Sequence, residues 1–512
     1  VLFIVHPLHT EVVANIKSRD EIMMFMFSLG AMYLFFEYLE NKKKYWKLAV
    51  SGLLFFLAMM SKENAVMFIG FIPLVLYFIY NIDLKTAIKE TWFLIVVTFI
   101  FIFIRFSITG FHSNLQNEIL NAPYLWATPI EAFATKTYIL LRYLALMVFP
   151  HPLSCLYTWN AIPYIGITDP KFLVAFVIYA GLIFVAFKGF FKRNMLAFFL
   201  INYLAMLMLV SNFIFDIGAL MGERFLYQAG LPLIMAAGYY SDKLYAGNYS
   251  RILKTATGIV SVIIVLAYTA RTIQRNSEWT NDDTIAIADR DTYECAHVKV
   301  NAASAFFRVS QKETDLKKKA RLVAQSKGYF TRAIAIYPTY TDAHLVCGAC
   351  YYLSGNIDSA AYYWDKAREI RPNNDQLKTY FPVVAKAFYE RAQKNLKENK
   401  TDSAAYNFKM AMRHDTLYYQ IIRFYYDKAY EVFMKKDYKK AMTYLDTYLE
   451  FKADNMNVFL LYGDACYNTG DYLKSREMYK RALPFNPENP AVLQQLKNIE
   501  ILLSMQNKKN KQ

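Results

Sequence analysis

Four short polar clusters carry the residue types that could do chemistry. The first is His6-Pro7-Leu8-His9-Thr10-Glu11, followed by Arg19-Asp20-Glu21. The second is Ser61-Lys62-Glu63, the third Gly222-Glu223-Arg224-Phe225-Leu226-Tyr227, and the fourth runs from Arg271 through Arg275-Asn276 to Trp279. Carboxylates can take a proton from a hydroxyl, and lysine or arginine can neutralise a departing phosphate. Each residue also has a plain role as a membrane-interface side chain, with Trp279 in an aromatic belt. All four clusters flank long apolar runs, where a charge at membrane depth costs about 2.5–3.5 kcal/mol on insertion scales. As a set they point to one pocket. On a helix His9 and Glu11 lie about 200° apart, so both face that pocket only if Pro7 holds a non-helical lead-in.

Apolar runs must position these clusters. Hydrophobic residues make up 55% of the 512 and charged residues 20%, with 41 Tyr and 40 Phe, which excludes a disordered chain and a wholly soluble one. Runs able to span a membrane lie at about 22–38, 46–60, 64–80, 91–108, 135–149, 171–188, 194–214, 228–240 and 252–270. Val1 to Val5 reads as the stump of another, and with no charged segment before it, it is not a signal peptide. A chain lacking its natural N-terminus is the expectation.

Loop charges set an orientation. The loops at 41–47 (Lys42, Lys43, Lys44, Lys47), 81–90 (Lys85, Lys89), 188–193 (Lys188, Lys192, Arg193) and 241–254 (Lys243, Arg251, Lys254) are basic and should be cytoplasmic. Three runs between the second and third of these loops would put them on opposite sides. One run therefore does not cross, and 135–149, which contains Arg142, is expected to re-enter or lie against the bundle on its outer side. The last span then exits outward, and everything after about residue 275 is extracytoplasmic. Topology explains much of the excess of 58 Lys+Arg over 42 Asp+Glu, net +16, so nucleic acid is not the expected partner. Five cysteines are too few and too irregular for a disulfide framework, and Cys347 with Cys350 reads as small residues packed inside a helix pair.

A period near 34 appears after residue 300. Thr341 to Pro372 places Gly348, Tyr351, Gly355, Ala360, Trp364, Ala367 and Pro372 where a tetratricopeptide repeat wants small, aromatic, turn, small, aromatic, small and proline residues. Pro338, Phe330 and Ala333 occupy matching places one unit earlier, and Gly463, Gly470, Ala482 and Pro487 mark the last unit. The equivalent position moves through 333, 367, 411, 448 and 482, and the two longer steps imply loop insertions. Such an array forms a groove for an extended peptide or partner protein. The tail from Lys508 onward is a solvated end.

The expected fold is all-α, with a multi-pass transmembrane bundle over 1–275 and an extracytoplasmic tetratricopeptide α-solenoid of about five repeats over 276–512. Here the motifs carry a resemblance. His6-Pro-Leu-His9-Thr-Glu11-Val-Val-Ala with Ser18-Arg19-Asp20-Glu21 looks like the HPxHTEAVA and GRAEL segments of the transmembrane and tetratricopeptide-repeat O-mannosyltransferase-like proteins. Ser61-Lys62-Glu63 resembles their SKE, Gly222 to Tyr227 their AERxLYxPS, and Arg275-Asn276-Ser-Glu-Trp279 their RNxxW. Order and attached repeats match over nearly the whole chain. Asp20 stands where the family has Ala, Ser18 where it has Gly, and Gln228-Ala229 where it has Pro-Ser.

The resemblance implies a membrane glycosyltransferase of the GT-C type, moving a mannose-like hexose from a polyprenyl-phosphate donor to protein Ser or Thr hydroxyls, in contact with membrane lipid. The family's catalytic acidic pair belongs upstream of Val1, so no residue present is assigned as its base. Lys62, Arg224 and Arg19 are the expected phosphate partners, and His9, Glu11, Glu21, Glu63, Glu223 and Tyr227 complete the donor and acceptor pocket. Beyond the lipid-linked sugar donor no cofactor is assigned, and the carboxylates leave room for a divalent metal. Short loops with abundant Lys, Asn and Tyr lean toward a bacterial inner membrane with a periplasmic repeat domain. A membrane-tethered repeat scaffold without chemistry is the rival expectation. A transporter would need broken helices at the membrane middle and symmetry between halves, which the pattern lacks.

Overall fold

The computed structural model describes residues 1–40, 44–110, 118–214, 216–415, 419–451 and 455–509. Asn41-Lys42-Lys43, part of the polar segment at 110–134 and the last three residues of the tail lie outside them. Among the described residues every regular element is helical, as expected for an all-α chain. Two compact units are present, 1–343 and 344–512. The boundary therefore falls after the expected one at 275. The reason lies in contacts of the segment that follows: Arg142 reaches the Tyr293 hydroxyl at 2.7 Å, and the backbone N–H of Cys155 reaches Asp289 at 2.6 Å.

In the first unit, helices cover all nine apolar runs: α1 (Arg19–Glu40), α2 (Tyr45–Ser61), α3 (Phe68–Phe78), α4 (Trp92–Thr109), α5 (Pro129–Val148), α6 (Pro170–Phe190), α7 (Met195–Leu209), α8 (Leu226–Ala246) and α9 (Arg251–Glu278). Side-chain caps set the starts of α5, α6, α7 and α9. Thr128 and Glu131 form a reciprocal capping box, and Asp169, Asn194 and Ser250 each accept a hydrogen bond from a first-turn N–H. Three helices, α1 with its lead-in, α6 and α9, are long and apolar enough to cross a membrane alone; α4 with the bent segment before it makes a fourth. The helices α2 and α7 and the segment Glu63–Phe78 are shorter.

The bundle has two chemically distinct ends. At one, the Tyr80 hydroxyl donates to Glu40, Arg193 donates to Asn81 at 3.2 Å, and the Tyr77 and Phe190 rings stack 5.0 Å apart, so the described parts of three expected cytoplasmic loops converge. At the other lie the four polar clusters. Helix α5 packs along α6, whose Tyr179 hydroxyl donates to the Leu140 carbonyl at 2.7 Å, and it also touches this second end. Phe133 packs on Phe213, Lys136 pairs with Asp216, the Tyr143 hydroxyl accepts from the Gly222 N–H, and His6 hydrogen-bonds the Met147 carbonyl. By length and composition α5 is not among the helices able to cross a membrane.

Beyond α9 the first unit adds α10 (Asp282–Ala288), α11 (Ala296–Lys312) and α12 (Leu316–Ile336). The second unit repeats one motif: α13 (Thr341–Leu353) with α14 (Ile357–Ile370), α15 (Asp375–Lys397) with α16 (Thr401–His414), α17 (Tyr419–Met434) with α18 (Tyr438–Phe451), α19 (Met456–Thr469) with α20 (Tyr472–Ala482), then α21 (Pro490–Lys509). A Cβ at Gly348 would stand 2.5 Å from the Trp364 ring nitrogen, and one at Gly463 2.9 Å from the Tyr479 ring. Only glycine lets each helix pair close that far. The Trp364 indole N–H donates to the Leu345 carbonyl at 2.9 Å, and Ala360, Ala367 and Ala482 are fully buried between helices. Tyr351 stacks on Tyr363, Pro372 follows the end of α14, and Pro487 follows the turn after Ala482. Cys347 and Cys350 are buried in α13, as expected of packing residues. The expected loop insertions prove to be helix. The step of 44 is accommodated in α15, whose 23 residues exceed the 13 of α13 by ten, and α17 runs to 16.

Candidate functional site

The polar clusters meet through paired charges. Glu11, on the short helix Thr10–Ala14, is 2% exposed; it accepts from the Arg224 backbone N–H at 3.0 Å and from the Arg224 guanidinium at 3.2 Å. Burial raises its carboxyl above the usual range, against the pull of Arg224. Lys62, in the break between α2 and the turn Glu63–Met67, reaches Glu21 at 2.6 Å and Asp20 at 3.1 Å. Glu21 is itself buried and also accepts from Gln228 at 3.1 Å. Glu63 pairs with Arg105 near the end of α4.

These groups frame a cavity of about 590 Å³. Asp20, Lys62, Glu63, Arg105 and Arg224 form its polar side; Met59, Phe101, Ile104, Ile108, Leu209 and Val210 form its apolar side. Lys62 is 23% exposed and Arg224 33%, so both cations remain reachable while their carboxylate partners, Glu21 and Glu11, stay sealed at 2–3%. A site of this kind suits an amphiphile that carries an anionic group beside a hydrocarbon chain.

Other expected site residues are placed elsewhere. His9 and Glu11 diverge because Pro7–His9 is itself a helical turn rather than an extended lead-in. His9 hydrogen-bonds the Phe3 carbonyl at 2.6 Å and packs edge-on against the Tyr227 ring at 4.9 Å. Burial, with His6 beside it, pushes its imidazole down to about 3, so it is neutral. Tyr227 is part of the same packing and does not line the cavity, and Arg19 is exposed outside it. Glu223 turns the other way: the Ser154 N–H and the Tyr157 hydroxyl donate to one oxygen, the second oxygen is buried without a partner, and burial pushes the carboxyl up to about 8. In the fourth cluster, Arg275 is 1% exposed and forks onto Asp289 at 2.6 and 3.1 Å, a brace for the exit of α9.

Sequence reasoning missed two contributors. Arg105 is the one cation inside the run 91–108, a signal that could have been read as that of Arg142 was. Asp20 was noted as a departure from the family and turns out to line the cavity against Lys62. Among the described residues no three His, Cys, Asp or Glu stand together as a metal site. Glu11 is committed to Arg224, His9 to Phe3 and Glu223 to Ser154 and Tyr157, so none is placed to hold the divalent metal for which the sequence left room.

Residues 2–108 match the family model of dolichyl-phosphate-mannose-protein mannosyltransferases. A protein O-mannosyl-transferase of Caenorhabditis elegans is 26% identical over 286 residues, 55% of this chain and 39% of that protein. Protein O-mannosyl-transferase TMTC3 of Homo sapiens is 21% identical over 540 residues, 99% of this chain and 54% of that protein. The chain thus spans about half, or less, of the length of these relatives. The resemblance read from the motifs is the one these comparisons return. Among solved structures, the tetratricopeptide protein YrrB covers 42% of this chain and 98% of its own at 16% identity and a TM-score of 0.17. MamA covers 36% and 90% at 15% identity and 0.16. Scores this small add nothing to the helix pairs already described.

Proposed function

We propose that this chain is part of a GT-C-type membrane glycosyltransferase that moves a mannose-like hexose from a polyprenyl phosphate to Ser or Thr hydroxyls of a protein outside the cytoplasm. One observation carries the reading: Lys62, Arg105 and Arg224 line one cavity together with apolar residues such as Met59, Phe101, Ile104 and Leu209. In the reaction the bond between the sugar's anomeric carbon and the phosphate oxygen breaks, and a bond to the acceptor oxygen forms. The phosphate leaves on its polyprenyl chain with an added negative charge, which Lys62 and Arg224 stabilise. Glu21 and Glu11 hold those two cations in place, since a buried carboxylate accepting two hydrogen bonds fixes its partner's rotamer. The apolar side takes the first isoprene units. A carboxylate must accept the hydroxyl proton, and we assign none of the described residues to that role. The repeats would hold the acceptor chain, a use that suits a stacked helical array.

The test uses the full-length protein with polyprenyl-phosphate mannose and a Ser/Thr-bearing acceptor. Arg224→Ala and Lys62→Ala should each cut kcat by about 10²–10³, the size of effect seen on removing one group that stabilises developing charge. Transfer within threefold of wild type in both variants would sink the reading and leave the repeat scaffold as its successor.

A further inference from the structure

A second cleft, of about 710 Å³, lies between α5, α8 and α9 in the same unit. The cation-lined cavity is built from α1, α2, α4 and α7, so the two clefts share no lining residue. Its lining combines the basic side chains His151 and Arg271 with Leu233 and Ile234 of α8 and Ile263 and Ile264 of α9. On α9, Arg271 is two turns nearer than Ile264 to the bundle end that holds the polar clusters. The Tyr268 hydroxyl donates to the Val148 carbonyl at 2.8 Å and ties α9 to the end of α5 beside the cleft.

The wall facing away from the protein is α9, and none of its most apolar 18-residue stretch is buried. In a bilayer that face meets acyl chains, so the cleft opens to lipid. Its polar end is cationic and incompletely matched. Among the described residues Arg271 has one ion pair, to Glu278 at 3.4 Å, and its buried Nε has no hydrogen-bond partner. His6 contributes wall only, because both of its ring nitrogens are taken by Met147 and Leu8. A cation at the interface end of a hydrocarbon cleft of ligand size is the complement of a lipid phosphate with its chain pointing inward.

We propose that this cleft holds a bilayer phospholipid with an anionic headgroup, its phosphate against Arg271 and an acyl chain along α8 and α9. The site is independent of the donor cavity and stands whether or not the chain transfers sugar. Native mass spectrometry of the full-length protein in detergent, titrated with phosphatidylglycerol or phosphatidylcholine, reads it directly. One phosphatidylglycerol should bind at least tenfold more tightly than phosphatidylcholine. Ala267→Trp, at an exposed position on the cleft wall where the larger ring meets no core, should abolish binding of both; Arg271→Gln should reduce phosphatidylglycerol to the level of phosphatidylcholine. Lys62→Ala should change neither. Thermal melting of each variant separates lost binding from lost fold. Unchanged binding in folded Ala267→Trp, headgroup preference surviving in Arg271→Gln, or displacement of the bound lipid by equimolar polyprenyl phosphate would each overturn the proposal, the last by making the cleft part of the donor site.

Discussion

A single carboxyl oxygen separates two roles for neighbouring residues in one motif. Glu223 and Arg224 are adjacent, yet Arg224 faces the cavity and Glu223 faces the loop at 154–157, because a tight turn sends successive side chains in different directions. The motif was legible in the sequence and the divergence was not, since it depends on where that loop supplies donors. The state of Glu223 has a measurable consequence. Its folded pKa, about 8, lies above the unfolded value near 4.5, so between those pH values the native state binds more protons than the unfolded chain. Stability contributed by the protonated form is present below pH 4.5 and is lost as pH rises toward 8. In detergent, the melting temperature of wild type should fall across that window, and Glu223→Gln should flatten the fall; an unchanged slope in the variant would assign it to another group. Gly348 offers a sharper steric case. Gly348→Ala drives a methyl into Trp364 and should cost about 1–3 kcal/mol. Gly328, helical with nothing within 4 Å of a Cβ, should gain about 0.5–1 kcal/mol as alanine. Chemical denaturation of the two variants should move in opposite directions.

At the scale of elements, the run 135–149 sets hydropathy against charge counting: it is apolar enough to be read as a span, while parity between the basic loops predicts that it does not cross. The partners of α5 come from 213, 216 and 222 on one flank and from His6 at its end, while Tyr179 of α6 and Tyr268 of α9 donate to its Leu140 and Val148 carbonyls. If the run does not cross, both ends of α5 open to one compartment. Ile130→Cys and His151→Cys, each at an exposed position, should therefore react alike with a membrane-impermeant maleimide on intact cells. Labelling of one and protection of the other would show a true span. The repeats teach the complementary lesson. Small and aromatic positions fixed the pairing of helices, because Gly348 against Trp364 and Gly463 against Tyr479 are local constraints. Helix length was not legible, since a ten-residue excess reads equally as loop or as the added turns of α15, and amphipathic continuation through Pro382 decides for helix.

Across the molecule, the two ends of the bundle carry the functional argument. Contacts gather the described residues near 40, 80 and 190 at one end, while Glu11, Lys62, Arg105 and Arg224 gather at the other. The basic loops belong to the first set and should stay cytoplasmic. On the proposed reading the cation-lined cavity opens outside the cytoplasm, where the proposed lipid-linked donor is used. Orientation is open to direct measurement. Alkaline phosphatase fused after Gln512 should be active, and Lys192→Cys, exposed in the loop between α6 and α7, should be protected from impermeant maleimide until the cells are opened. An inactive fusion together with a labelled Lys192→Cys would invert the bundle. The cavity would then face the cytoplasm, where an acceptor outside the cell cannot reach it, and the proposed transfer would fail on topology alone.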